Sequence, residues 1–238
     1  MLLKCTHAIF DVDGLLLNTE EIYTAEMSKV FASFGMEFTY DIKRKLMGRK
    51  GQEAANVVIN DVHLPCTVEE YTNAVSARLT PELWHGAKCL PGVERLIFHL
   101  AENNIPMALA TGSRSEDLQQ KMKAHQNIMD KMSHVVTSGD DPAVKSGKPA
   151  PDIFQIAASR FTNPPSNPGT VIVFEDSPLG VQAGVAAGMH VIWVPQPQEP
   201  PGDVPDTMSA SSASHVTRIP TLLEFKPEMF GIPPFKTT

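Results

Sequence analysis

Two aspartates two residues apart, Asp11 and Asp13, end a short apolar run and are followed at once by Gly14. Residues 8–10 predict a buried strand of a parallel sheet. Side chains two apart on an extended chain point the same way, and ligands bind at the carboxyl end of such strands. Asp and Gly are also common turn residues. These residues alone therefore leave a ligand site and an acidic turn as equal alternatives.

Further polar groups stand where other predicted elements end: a hydroxyl, a lysine and a pair of carboxylates. They are Thr111, Lys148, Glu175 and Asp176. Because parallel strands place their carboxyl ends along one edge of a sheet, we expect these groups to lie near the aspartate pair. Taken singly, each has a plain alternative as a helix N-cap, a solvated loop charge or a strand-end turn.

This combination of side chains has a specific chemistry. Crowded carboxylates need a cation, and oxygen ligands suit a hard ion such as Mg2+. A carboxylate can also attack phosphorus to give an aspartyl phosphate. Lys148 would neutralise charge on phosphoryl oxygens, and Thr111 would donate a hydrogen bond to one of them. The residues therefore favour phosphoryl transfer.

An α/β fold is predicted to position these groups, because strand and helix patterns alternate from residue 92 onward. Predicted strands cover 106–110, 134–137, 170–174 and 190–194, and predicted helices cover 93–101 and 116–125, with others opening at Pro151 and after Asp176. Residues 216–235 predict a short strand and a terminal helix. The Pro/Ser-rich segment 195–214 reads as a surface loop without visible chemistry.

The chain between the first strand and residue 87 shows only helical patterns. Asn18 is expected to cap the first helix, and Thr67 with Glu70 forms a capping-box signature for a later one. We therefore expect two domains, an α/β core of residues 1–17 and 87–238 and an inserted all-α domain of residues 18–86.

Composition excludes several classes of protein. The chain has 42% hydrophobic residues, 20% charged residues and a net charge of -7, which argues for a globular core and against a nucleic-acid surface. Three cysteines without a C-x-x-C pair favour free thiols in a reducing compartment. No apolar run approaches the ~18 residues of a membrane span, and the first residues lack a secretory pattern. We expect a cytoplasmic protein, a monomer, with no nucleic-acid or membrane partner.

Four motifs in this order resemble those of the haloacid dehalogenase superfamily of phosphohydrolases. They are Asp-Val-Asp-Gly at 11–14, Ala-Thr-Gly-Ser at 110–113, Lys-Pro at 148–149 and Phe-Glu-Asp-Ser at 174–177. The resemblance covers essentially the whole chain. It implies a Rossmann-like parallel sheet with helices on both faces, and a small helical cap domain formed by residues 18–86.

The resemblance also implies a role for each motif residue. Asp11 would be the nucleophile that takes the phosphoryl group. Asp13 would protonate the leaving alcohol and later activate water, and its presence favours a phosphatase over a dehalogenase. Thr111, Gly112 and Lys148 would bind the transferring phosphoryl group.

Mg2+ is the cofactor that the resemblance implies. Its ligands would be Asp11, the backbone carbonyl of Asp13 and Asp176, with Glu175 nearby or bonded through water. In the cap, Arg49 and Lys50 lie at an inter-helix turn, where they are either substrate contacts or a solvated surface pair.

The substrate is narrowed by resemblance to one subgroup, the pseudouridine-5'-phosphatases and their relatives. The stretches are 13–17, 47–50, 138–142 with 147–149, and 225–231. They imply hydrolysis of pseudouridine 5'-phosphate, with a glycerol-phosphate or sugar-phosphate phosphatase as the alternative. Arg114 replaces a more usual small hydroxyl residue and is expected near the phosphate end of the site, where it would alter affinity for an anion.

Other function classes are less favoured. A phosphomutase of this superfamily should carry a His in the first cap helix, where Tyr23 stands. A non-catalytic binding module should have lost Asp11, Asp13 or Asp176, and all three are present. A dinucleotide-dependent dehydrogenase or a P-loop kinase would need a glycine-rich phosphate loop that the sequence lacks.

Overall fold

A computed structural model of the chain describes residues 4–47, 49, 51–205, 208 and 214–236. Within these ranges six parallel strands form one sheet in the order β3-β2-β1-β4-β5-β6. The strands are β1 His7–Phe10, β2 Met107–Thr111, β3 His134–Thr137, β4 Val171–Glu175, β5 His190–Trp193 and β6 Val216–Arg218. The predicted α/β fold with a parallel sheet is confirmed.

Helices connect these strands and also fill the region between β1 and β2. They are α1 Thr19–Ser33, α2 Tyr40–Leu46, α3 Gly51–Asn60, α4 Val68–Arg78, α5 Val93–Glu102, α6 Ser115–Met122, α7 Gln126–Met129, α8 Asp152–Ser159 and α9 Pro178–Ala186. Short 3-10 turns cover Pro81–Gly86, Pro168–Thr170, Leu222–Glu224 and Pro227–Phe230. Thr67 and Glu70 form the predicted capping box at the start of α4. No helix in the described part of the chain is both long and apolar enough to cross a membrane.

Both faces of the sheet are covered, because successive side chains of a strand point to opposite sides. Phe10 belongs to an apolar cluster with residues of α5 and α6. Ile9 belongs to a second cluster, with residues of α8 and α9. On the first face the rings of Phe10 and Phe174 stack with their centroids 4.6 Å apart. The predicted placement of helices on both faces is thus confirmed.

The strand order places the two acidic motifs side by side. From β1 the sheet extends outward through β2 to β3, and the chain then crosses back to β4 on the other side of β1. Such a reversal is where open α/β sheets form a ligand crevice. Phe10 pairs with Phe174 in register, and the Asp11 amide donates to the Phe174 carbonyl at 3.1 Å. The residues that follow β1 therefore meet those that end β4.

Helices α1 to α4 form a block with an apolar cluster of its own, which includes Met27, Phe31 and Tyr71. The chain enters and leaves this block at neighbouring points. The Asn18 amide donates to the Lys88 carbonyl at 3.0 Å, and the Asn18 side chain accepts from the Lys88 amide at 2.7 Å. Asn18 occupies the predicted N-cap position of α1, but its side chain makes no capping hydrogen bond there, so the expected capping by the side chain is wrong. Asn18 instead joins the two connecting segments.

The predicted terminal helix is also wrong. After β6, the described residues 219–236 contain only the 3-10 turns Leu222–Glu224 and Pro227–Phe230. Prolines at 220, 227, 233 and 234 remove the amide donors that a continuous α-helix needs. Phe225 and Phe230 are nevertheless buried, with their rings stacked 5.3 Å apart. The apolar residues of this region thus pack onto the sheet from a turn-rich segment.

Candidate active site

Three carboxylates meet at the edge of the sheet where β1 and β4 end. Asp11, Glu175 and Asp176 each offer an oxygen, and these atoms lie within 4.8 Å of one another. All three residues are buried. The Lys148 ammonium reaches them from the loop between β3 and α8, at 2.5 Å from Asp11 Oδ1 and 2.5 Å from Glu175 Oε1. The structure thus brings the predicted carboxylates and lysine together.

Glu175 is fixed by the backbone that follows it. Its Oε2 accepts from the amides of Asp176 at 2.9 Å and Ser177 at 3.0 Å, and from the Ser177 hydroxyl at 3.1 Å. Gly180 makes room for this carboxylate, since a Cβ atom there would lie 1.8 Å from Glu175 Oε1. With Lys148 on Oε1, both oxygens of Glu175 therefore have donors. Asp176 Oδ2 accepts a hydrogen bond from Gln196 Nε2 at 3.1 Å.

The charges of this cluster do not balance. Three carboxylates face one buried ammonium, which leaves an excess of negative charge out of contact with water. Burial raises the pKa of Asp11 to about 7, against the opposing effect of Lys148. Burial, Glu175 and Asp11 together raise the pKa of Asp176 well above its usual range. An all-oxygen donor set with excess negative charge fits a hard divalent cation.

The Asp13 carboxylate makes a separate set of contacts. Its Oδ1 accepts from Thr19 Oγ1 at 2.7 Å and from Lys121 Nζ at 2.7 Å, and its Oδ2 accepts from Ser113 Oγ at 2.9 Å. Burial acts to raise the pKa of Asp13, but Lys121 and the two hydroxyl groups outweigh it and hold that pKa below its ordinary value. The environments of the two aspartates of one motif thus shift their pKa values in opposite directions, upward for Asp11 and downward for Asp13.

A cavity of about 280 Å³ opens over both aspartates. Its floor includes Asp11, Asp13, Lys148 and Asp176. The helical block and the Pro81–Gly86 turn supply most of its apolar and aromatic lining, together with the carboxylate of Glu20. These residues include Tyr23, Leu46, Met47, Arg49, Leu79 and Trp84. The cavity therefore has a charged end formed by the sheet edge and an apolar end formed by the helices.

The remaining predicted phosphate contacts lie in and below this cavity. Thr111 is fully buried, and its Oγ1 accepts from the Ser113 amide at 3.1 Å. Gly112 and Ser113 line the cavity. Arg114 follows these two residues and is exposed at the start of α6, outside the lining of the cavity; its effect on anion affinity stays a prediction.

Arg49 and Lys50 are the two predicted cap contacts. Arg49 lines the cavity, while its guanidinium donates to the Glu53 carboxylate and to the Lys45 carbonyl. Lys50 lies outside the described residues.

Three residues of the site were missed by sequence reasoning as functional residues: Ser113, Lys121 and Trp84. Lys121 is buried, and it falls on the same side of α6 as the buried Leu118 and Met122. A charged residue three positions after an apolar one on a helix was the available signal. Trp84 offered no comparable signal, because an aromatic residue between Pro81 and Gly86 reads as ordinary core.

The Pro-rich segment after β5 also has a role that its composition did not indicate. Glu199 is buried, accepting from Tyr40 Oη at 2.8 Å and from Arg44 Nη2 at 3.0 Å, both on α2. Gln196 of the same segment contacts Asp176, as described above. The described residues 195–205 do form a largely exposed loop, as predicted, but Gln196 and Glu199 give this loop contacts to the site and to α2 that the prediction did not include.

Sequence comparison identifies relatives over the full chain. The model of the haloacid dehalogenase-like hydrolase family matches residues 8–194. A Drosophila melanogaster protein named "Probable pseudouridine-5'-phosphatase" is 39% identical over 236 residues, covering 99% of this chain and 97% of the relative. An Arabidopsis thaliana protein named "(DL)-glycerol-3-phosphatase 2" is 40% identical over 232 residues, covering 97% and 93%.

Structural comparison agrees on the fold. A hydrolase of the same superfamily from Deinococcus radiodurans R1, solved with phosphate and sodium bound, superposes with a TM-score of 0.72. It is 22% identical, and the match covers 97% of this chain and 98% of that one. On the family match and these full-length relatives, the chain belongs to the haloacid dehalogenase-like hydrolase family.

Proposed function

We propose that this protein is a metal-dependent phosphomonoester hydrolase that works through an acyl phosphate formed on Asp11. One observation carries the proposal: the buried Asp11 carboxylate, held by Lys148 at 2.5 Å, shares a cavity with a second carboxylate, Asp13, that has a different set of partners. Two carboxylates in contrasting environments suit a nucleophile and a general acid–base. The family and the phosphatase names of its relatives support the same reaction type.

In the first half of the reaction, an Asp11 oxygen forms a bond to phosphorus while the bond from phosphorus to the ester oxygen breaks. Asp13 has to be protonated for this half, against the preference of its contacts for the ionised form. It gives that proton to the ester oxygen, which leaves as an alcohol. The Lys148 ammonium offsets the charge on the reacting oxygens. Gly112 and Ser113 line the cavity, and Thr111 supports their loop from below.

In the second half, water attacks the phosphorus of the phosphoaspartate. Asp13, now ionised, takes a proton from that water, and the bond between phosphorus and the Asp11 oxygen breaks. Inorganic phosphate and free Asp11 are the products. The donors from Thr19, Ser113 and Lys121 to the Asp13 carboxylate favour the ionised form needed in this half.

We propose Mg2+ as the ion for the acidic cluster. Asp11, Asp176 and the backbone carbonyl of Asp13 would hold it. Glu175 would lie beside the ion without binding it directly, because both its oxygens already accept hydrogen bonds. When bound, such an ion supplies positive charge to phosphoryl oxygens. Its presence would also balance the excess negative charge of the buried carboxylates.

We also propose that residues 18–86 form a cap domain over a core of residues 1–17 and 87–238. Support comes from the separate apolar cluster of the helical block and from the paired entry and exit segments at Asn18 and Lys88. The cap supplies the apolar wall of the cavity and one cation, Arg49. Lys50 would be a second cap contact. Such a cap excludes water and contacts the leaving group.

Pseudouridine 5'-phosphate is the substrate that we propose, on two grounds. The first is the similarity to the Drosophila melanogaster relative over 99% of the chain. The second is the pair of aromatic residues, Tyr23 and Trp84, in the wall of the cavity, since aromatic rings suit a planar base. Glycerol phosphate is the second candidate, because the Arabidopsis thaliana relative is equally similar. A sugar phosphate is a further alternative.

A phosphomutase is less well supported, since Tyr23 lines the cavity where a proton-transferring His would be needed. The cytoplasmic location and the monomeric state stay predictions.

Phosphate release tests the proposal. The purified protein is assayed with Mg2+ and with a chelator on pseudouridine 5'-phosphate, uridine 5'-phosphate, glycerol 3-phosphate and hexose phosphates. We expect metal-dependent release, fastest from pseudouridine 5'-phosphate and much slower from uridine 5'-phosphate. Preference for glycerol or hexose phosphate would keep the mechanism and reject the nucleotide. No release from any ester would reject the function.

A further inference from the structure

Lys121 is a buried lysine that the reaction outlined above does not use directly. It lies on α6, and its ammonium donates to Asp13 Oδ1 at 2.7 Å and to Ser113 Oγ at 2.9 Å. Ser113 in turn donates to the other Asp13 oxygen at 2.9 Å. Lysine, serine and aspartate thus close a ring of contacts in which both Asp13 oxygens are held from the side of α6.

A residue of the 3-10 turn Pro81–Gly86 covers the same ammonium. Lys121 Nζ lies 4.6 Å from the centre of the Trp84 ring, within the range of a cation–π contact. Both residues are buried and both line the cavity. A second contact joins the same two elements, since His85 Nε2 lies 2.9 Å from Gln120 Oε1. The Pro81–Gly86 turn therefore packs on α6 through two side-chain pairs.

We propose that Lys121 is a positioning residue for Asp13, and that Trp84 holds Lys121 in that place. The inference rests on the proposed function, in which Asp13 transfers protons to and from the reacting oxygens. Without Lys121, Asp13 Oδ1 keeps only the hydroxyl of Thr19, and Ser113 loses the donor that orients its own hydroxyl. Proton transfer needs a fixed donor–acceptor geometry, so looser contacts slow it.

This role predicts for which esters kcat/KM falls when Lys121 is replaced. An alkyl phosphate needs a proton on its leaving oxygen, whereas p-nitrophenyl phosphate releases a stable anion that needs none. The ratio kcat/KM covers the steps up to formation of the phosphoenzyme. Weaker positioning of the acid should therefore lower kcat/KM for alkyl phosphates and spare it for p-nitrophenyl phosphate.

The experiment compares Lys121→Met with the wild-type protein on both kinds of ester, with the best alkyl phosphate from the substrate panel. We expect kcat/KM for the alkyl phosphate to fall roughly 10- to 100-fold. The value for p-nitrophenyl phosphate should stay within about twofold, because its departure needs no general acid. Lys123→Met is the matched control, since Lys123 is exposed at the end of the same helix.

Two variants of Trp84 provide a second measurement that does not remove the ammonium. It compares glycerol 3-phosphate with p-nitrophenyl phosphate, because Trp84 is also a proposed contact of a substrate base and glycerol 3-phosphate has none. Trp84→Phe keeps an aromatic face for Lys121 and should preserve the wild-type ratio between the two esters. Trp84→Leu removes that face and should shift the ratio in the same direction as Lys121→Met. If Lys121→Met fails to fold, this pair of variants still tests the positioning role of Lys121.

Equal losses on both esters in Lys121→Met and in Trp84→Leu would overturn the positioning role and leave only a packing role. Unchanged kinetics in folded Lys121→Met would overturn it as well. A wild-type protein inactive on every ester would overturn the proposed function and the role of Lys121 with it, so the two failures are distinguishable.

Discussion

Lys148 Nζ lies 2.5 Å from Asp11 Oδ1, and both groups are buried where β1 ends. The same ammonium contacts Glu175 at 2.5 Å, so one cation bridges carboxylates from two adjacent strands. Asp11 and Glu175 reach this position because β1 and β4 pair in register. The contact therefore links the topology of the sheet to the reactivity of the proposed nucleophile.

Lys148→Met should damage activity and stability together. It removes the charge that offsets the reacting oxygens, and we expect kcat/KM to fall by about 10²–10³. It also leaves two buried carboxylates without their cation, which should cost about 3 kcal/mol in the free energy of unfolding without metal. Steady-state kinetics and urea denaturation measure the two effects. Lys145→Met, an exposed change in the same loop, is the control; near-wild-type activity of Lys148→Met would contradict the role of Lys148.

Binding of a divalent cation should stabilise the fold, because it neutralises the buried cluster of Asp11, Glu175 and Asp176. At a Mg2+ concentration 100 times Kd, the gain is about 2.7 kcal/mol. Thermal melting at constant ionic strength should show Tm rising with Mg2+ in the wild type, and rising much less in Asp176→Asn. Asp130→Asn, an exposed change, should behave as the wild type. An equal rise in Asp176→Asn would place the ion elsewhere.

Glu199 joins the segment after β5 to the helical block, and its side chain is only 3% exposed. Glu199→Gln keeps the shape but removes the charge that Arg44 and Tyr40 contact. We expect a loss of about 1–3 kcal/mol in the free energy of unfolding, with faster amide exchange in α2 as the block opens more readily. The exposed change Glu228→Gln is the control. Unchanged exchange in α2 would show that this contact does not hold the block.

Stability should fall in mild acid through His190. Burial lowers the pKa of His190 to about 4, with a smaller effect of His215. Below about pH 6.5, the pKa of His in the unfolded chain, the unfolded chain binds a proton that the folded chain does not bind. The free energy of unfolding therefore falls from about pH 6.5 down to about pH 4 and then levels off. The half-buried ring limits the loss to roughly 2 kcal/mol.

Urea denaturation between pH 7 and pH 4 tests this expectation by comparing His190→Gln with the wild type. The variant lacks the titrating ring, so its stability should decline less steeply across the window. Carboxylates that titrate in the same range affect both proteins and cancel in the comparison. Parallel pH curves for the two proteins would rule out His190 as a source of the decline.

The floor of the site could be predicted from sequence because a parallel sheet fixes where strand ends lie. Asp11 and Asp176 follow strands whose apolar runs are plain in the sequence, and the sheet brings them together. The site walls could not be predicted in this way. Lys121 reads as a solvated helix charge until the Pro81–Gly86 turn packs against it, and Glu199 lies in a Pro-rich segment without periodicity. Both contacts join residues that are distant in sequence and carry no repeating pattern.

The same limit explains the errors in the fold. The predicted terminal helix covers apolar residues such as Phe225 and Phe230, which are buried but lie on short turns. Asn18 has the residue type of an N-cap, yet its side-chain oxygen accepts a hydrogen bond from the Lys88 amide, where the chain enters and leaves the helical block. Burial followed from residue type in the first case. Hydrogen-bond partners in the second depended on tertiary contacts that a single sequence does not contain.

Chemical trapping of the phosphoenzyme tests the central proposal most directly. The enzyme is mixed with its best substrate, quenched in acid during turnover and treated with borohydride, which reduces an acyl phosphate to an alcohol. Peptide mass spectrometry should then find homoserine in place of Asp11 in the wild type, and no such change without substrate or in Asp11→Asn. Turnover without modification of Asp11, or modification of another carboxylate, would contradict the assignment of Asp11 as the nucleophile.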